Sequence, residues 1–158
     1  MPLVRAPVNG KLAGLITAAQ PVFAPTHWFG GRTVPCTEPE CTACNEHRPT
    51  RWHAYITIWT PQTNTQILLE LPEAASHRLS ELSDVHGKLR GGRLAVFRNG
   101  NRQNSRVIIN FWPNDATQYR LPKEPNIRNI LEHIWQLDRQ PQKINGQPAR
   151  PAIQLRKP

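Results

Sequence analysis

The chain has 158 residues, 38% of them hydrophobic and 20% charged, enough for one domain around one core. No apolar run approaches the about 20 residues that a membrane-spanning helix needs, and residues 1–20 show no secretory signal, so membrane insertion is excluded and a cytoplasmic, reducing setting is expected. Twenty Lys and Arg against eleven Asp and Glu give a net charge of +9, which points to a polyanionic partner, most simply nucleic acid.

Sixteen prolines exclude a helical bundle, because proline ends helices and is confined to strand edges. Residues 1–10 read as a flexible N-terminal arm. Residues 11–18 (KLAGLITA) are a candidate strand. Pro21, Pro25, Pro35, Pro39 and Pro49 then interrupt a long loop that holds all three cysteines. Residues 51–60 (RWHAYITIWT) are the clearest strand, being aromatic and β-branched. The turn Pro61-Gln62-Thr63-Asn64 joins them to a second strand at 65–71. Helical spacing of Ala75, Leu79 and Leu82 places a helix over 73–84.

Residues 92–98 and 106–112 are two further strands around the turn Asn99-Gly100-Asn101. Residues 126–138 form an amphipathic helix with Asn126 as its N-cap and Ile127, Ile130, Leu131, Ile134 and Trp135 on one face. Residues 139–158, basic and proline-rich, read as a disordered tail. A helix between the third and fourth strands is the element order of an OB-fold. The expected architecture is therefore mainly β: a five-stranded OB-like barrel over 11–122 with a metal-binding loop at 27–50. The C-terminal helix, within 123–138, packs on the barrel.

Cys36, Cys41 and Cys44 lie within nine residues of one another. Their odd number and the missing export signal favour thiolate metal ligands over disulfides. Three thiolates need a fourth ligand to close a tetrahedral site. His27 is favoured for it, ahead of His47 and then His53. Mixed sulfur and imidazole ligands select zinc, and a closed site is structural rather than catalytic.

The segment His27-x8-Cys36-x4-Cys41-x2-Cys44, set early in an OB-like strand order, resembles the helix-destabilising, single-stranded-DNA-binding proteins of T4-type phages. The resemblance implies an OB-fold core and one structural zinc on His27, Cys36, Cys41 and Cys44. It covers about residues 11–112. That family's C-terminal tail is acidic, whereas this one is basic.

Alternation along 52–59 turns Trp52, Ala54, Ile56 and Ile58 to the core, and His53, Tyr55, Thr57 and Trp59 to the opposite face. On the last two strands, Arg93 and Phe97, and Arg106 and Trp112, face outward. Unpaired bases stack on such rings. From His86 to Arg106 there are six cations and no acid: Lys88, Arg90, Arg93, Arg98, Arg102 and Arg106. The expected interface for single-stranded DNA, or RNA, is thus His53, Tyr55, Trp59, Phe97 and Trp112 with those six cations. In the competing arrangement Phe97, Trp112 and Trp59 lie under the C-terminal helix. No zinc-deaminase, phosphate-loop or nucleophile pattern is present, so a non-enzyme is expected. The rival function is a zinc-stabilised interaction subunit that docks a protein partner through the metal loop and the C-terminal helix.

Overall fold

The computed structural model describes residues 1–136. They form β1 (Leu3–Arg5), β2 (Lys11–Ile16), β3 (Val22–Phe29), β4 (Arg32–Pro35), α1 (Thr42–Asn45), β5 (Arg51–Thr60), β6 (Thr65–Leu71), α2 (Glu73–His86), β7 (Arg93–Arg98), β8 (Val107–Trp112) and α3 (Ile127–Ile134). The expected tail at 139–158, and the last residues of the expected helix, lie outside the described residues.

β5 organises the sheet. One edge pairs with β6 along a hairpin that runs from Ala54↔Leu71 to Thr60↔Thr65. The other edge is shared: Arg51 to Tyr55 pair with β3, and Ile58 and Trp59 with β2. β2 and β3 are thus two parts of one bent strand, in which residues 17–21 lie opposite only Ile56 and Thr57. The bend frees β2 to pair with β7, and β7 pairs with β8. Just before the bend, Gly14 approaches β5 so closely that a Cβ there would sit 2.9 Å from the Trp59 carbonyl oxygen.

The result is mainly β, an open sheet of eight strands in the order β1-β6-β5-β2-β7-β8, with β3 on β5 and β4 on β3. Three strands exceed the expected five. Residues 3–5 are not a loose arm: β1 lies parallel on β6, with Leu3↔Leu68 and Arg5↔Glu70, and so occupies the edge of β6 away from β5. β3 and β4 form a hairpin inside the expected loop. Proline does not prevent this. The Pro25 carbonyl accepts from the Cys36 amide, on the side away from β5, so its missing N–H costs no bond to β5.

One face of the sheet carries Ile16, Ile56, Leu69, Leu94 and Val96, all buried in the main core. α2 covers it with Ala75, Leu79 and Leu82, and its His86 ring meets Phe111 at 5.1 Å. α2 starts after Pro72 and stops at Gly87, whose φ of 70° suits glycine. α3 begins where expected, with the Asn126 side chain accepting from the Asn129 amide at 3.1 Å. It lies on the other face, where Trp135 meets the Tyr55 ring edge-on at 5.5 Å.

Candidate functional site

The β3–β4 hairpin, the chain after it and α1 bring four ligand atoms together. Those of His27, Cys36, Cys41 and Cys44 all lie within 4.8 Å of one another, a group that could hold a metal ion. Cys44 Sγ is 3.5 Å from Cys36 Sγ and 3.3 Å from His27 Nε2. His27 Nδ1 faces the Arg48 and Pro49 carbonyls at 3.1 and 3.2 Å. Carbonyls only accept, so Nδ1 carries the proton and Nε2 keeps its lone pair for the cluster.

The electrostatics fit a cation. Burial pushes the Cys36 thiol up. Burial and the adjoining Cys36 and Cys41 sulfurs push Cys44 up to about 12. Burial also raises Cys41, but amide N–H groups of Thr37, Cys44 and Ala43 outweigh it and lower the thiol to about 7. The cluster therefore accommodates one thiolate readily, and three only with a compensating positive charge. A small apolar knot of Cys36, Cys41, Ala43 and Phe29 surrounds it, separate from the main core.

The competing histidines take other places. His47 is exposed, with φ of 55°, where the chain leaves α1. His53 points to the outer face. Its Nδ1 is 2.6 Å from Thr26 Oγ1, and its Nε2 is 3.7 Å from the buried Glu70 carboxylate. Burial pushes its pKa down.

The expected nucleic-acid residues divide. Tyr55 does not face solvent: it is 0% exposed beneath Trp135. Trp59 is 9% exposed, covered by Tyr119 at 6.1 Å, and its indole N–H donates to Asn64 Oδ1 at 3.0 Å. Alternation assigns a side chain to a face without telling what lies over that face. Here α3 and the segment 113–125 lie over it.

Arg90 is tied to the Thr17 and Pro122 carbonyls, and Arg98 to those of Ala6 and Ser105. Both guanidinium groups hold the fold together. Lys88, Arg93, Arg102 and Arg106 are exposed, and Phe97 is half-buried. Trp112 is 38% exposed rather than covered by α3. Because the Tyr55 hydroxyl is buried with no hydrogen-bond partner, Tyr55→Phe is expected to hold or raise stability by up to about 1 kcal/mol. Thermal unfolding checks this, and oligonucleotide affinity should not change.

Register orders the outer side of β2, β7 and β8 into rows, since cross-strand partners share a face. Lys11, Phe97 and Ile108 make one row, Ala13, Ala95 and Asn110 the next, and Leu15, Arg93 and Trp112 the third. Lys11, Ala13, Arg93, Asn110 and Trp112 are exposed on this side, whereas Ala95 and Leu15 are buried. The Lys11 ammonium and the Arg93 guanidinium lie 5.5 and 4.9 Å from the Trp112 ring centroid. Arg93 also pairs with Asp115 at 3.0 Å.

Lys11, Arg5 and Trp28 are absent from the sequence-derived set. Trp28 was not discoverable while its segment read as a loop; once β3 is seen, it follows His27 on the strand and points the opposite way. The apolar side chains Ile127 and Leu131 of α3 are buried in the main core and not presented to a partner. No helix among the described residues is long and apolar enough to cross a membrane. Compared with known proteins, the chain matches no family model, no curated protein and no solved structure.

Proposed function

We propose that this protein binds single-stranded nucleic acid, DNA in preference to RNA, on the outer side of β2, β7 and β8, and that His27, Cys36, Cys41 and Cys44 hold one structural zinc ion. The observation that carries this reading is Trp112, a partly exposed ring with Lys11 and Arg93 placed against it, beside the row of Ala13, Ala95 and Asn110. A base stacks on such a ring whatever its identity, while the cations meet the phosphates on either side. Asn110 offers both a donor and an acceptor to a base edge. The order of the elements, with β2 and β3 as one bent first strand and α2 between the third and fourth, supports an OB-like ancestry for this arrangement.

Three thiolates and one imidazole in a closed cluster select zinc and leave no position for a reacting water, so the centre is structural rather than catalytic. Three cysteines without a disulfide fit a reducing compartment, the cytoplasm.

The test is a titration of the metal-loaded protein with labelled oligo-dT at several salt concentrations. Tryptophan fluorescence should be quenched. With three or four phosphates neutralised, log K should fall with log salt at a slope of about −2 to −3. Equal affinity for a duplex, or no quenching at low salt, would refute the proposal.

A further inference from the structure

Trp28 is 61% exposed, the most exposed of the five tryptophans. It sits on β3 directly after His27, so the pleat sends the imidazole to the sulfur cluster and the indole to the outer face. Arg5, on β1, lies against it with its guanidinium 5.4 Å from the ring centroid. That guanidinium is fixed at two points: Nε donates to Glu70 Oε2 at 2.8 Å, and Nη2 to Thr33 Oγ1 at 2.8 Å. Glu70 is 2% exposed and sits in the sheet, so the cation is held in place.

A ring with a fixed guanidinium repeats the chemistry found at Trp112. Register puts both on one face of the sheet. Trp28 is two residues beyond Thr26, Thr26 faces Arg51, Arg51 shares its side with Trp59, and Trp59 leads through Leu15 and Arg93 to Trp112. Between the two patches stand Trp135 on Tyr55 and Tyr119 on Trp59. Arg51, exposed on the same face beside Trp28, supplies a cation for the phosphate between bases.

We infer that Trp28 and Arg5 form a second contact site for unpaired bases, occupied by the same strand that lies on Trp112. This rests on the proposed function. It adds that short strands use one patch and long strands use both. The separation is large: Arg51 and Trp59 alone are eight residues apart on β5, about 26 Å at the usual strand rise.

The experiment compares dT4 with dT16, lengths that bracket the range one small domain of this kind covers. Trp28→Ala should weaken dT16 binding about tenfold, the effect of losing one stacked base, and leave dT4 binding unchanged. Trp112→Ala should weaken both. Trp28→Phe, which keeps a ring, should restore most of the dT16 affinity. Metal content and thermal midpoint, measured on each variant, should match the parent.

Full dT16 affinity in Trp28→Ala would overturn the inference and leave the ring to a protein partner. An equal loss on dT4 would also overturn it, since the hairpin would then act through folding. If the parent protein binds neither length, the proposed function itself fails and this site with it.

Discussion

Replacing Cys41 by Ser, or stripping the metal with a strong chelator, is expected to release the segment from His27 to Pro49 and to lower the thermal midpoint by about 10 °C. The segment has little else to hold it. Its apolar side chains form a knot of Cys36, Cys41, Ala43 and Phe29, apart from the main core, and most side chains from Thr37 to Pro49 are exposed. An ion present at about 1,000 times its dissociation constant stabilises the folded form by about 4 kcal/mol. In a chain of this size that shifts the midpoint by on the order of 10 °C.

Acid should do the same work as the chelator, because each bound thiolate and the free Nε2 of His27 must be given up to a proton. The affinity therefore falls as pH falls. Thermal unfolding with and without chelator, followed by amide exchange, checks both points. Faster exchange should be confined to the end of β3 from His27 on, β4 and α1, because Phe23 and Ala24 of β3 lie in the main core. The core of Ile56, Leu69, Leu79 and Val96 does not touch the metal and should stay protected.

The second large effect is expected from Trp112→Ala, which should weaken single-strand binding by about tenfold to a hundredfold, the value of about 1–3 kcal/mol for one stacked base. Trp112 is exposed, so the loss should come without a change in thermal midpoint. Its neighbours act differently. Arg93→Ala removes a phosphate partner and should make the salt slope shallower by about 0.7. Asp115→Asn removes the carboxylate that competes for Arg93 and should tighten binding. Fluorescence anisotropy at two salt concentrations separates these outcomes. An unchanged affinity in Trp112→Ala would place the bound strand elsewhere on the protein.

The cluster of Cys36, Cys41, Cys44 and His27 was legible because thiols three and five residues apart have little other use in a chain without disulfides; that a β3–β4 hairpin carries His27 to them was not. β5, β6, α2, β7, β8 and the cap at Asn126 were legible from local periodicity and turn chemistry. What periodicity could not show is long-range. β1 exists only because it meets β6, 65 residues on, so Leu3–Arg5 alone reads as an arm. β3 hides behind Pro21 and Pro25, because the sequence does not say which side of a strand needs its N–H groups. The outer face of β5 alternates as a half-exposed strand should, yet Trp135 and Tyr119 cover Tyr55 and Trp59. For the same reason Arg90 and Arg98 read as phosphate ligands, when their guanidinium groups are held by backbone carbonyls far away in sequence.

The most direct test of the account is amide chemical-shift mapping of the metal-loaded protein as a short oligo-dT is added. Shifts should gather at Lys11 to Ala13, Arg93 to Phe97 and Arg106 to Trp112, and spare α2 on the opposite side of the sheet. Shifts centred on α2, or none across β2, β7 and β8 at saturation, would contradict it.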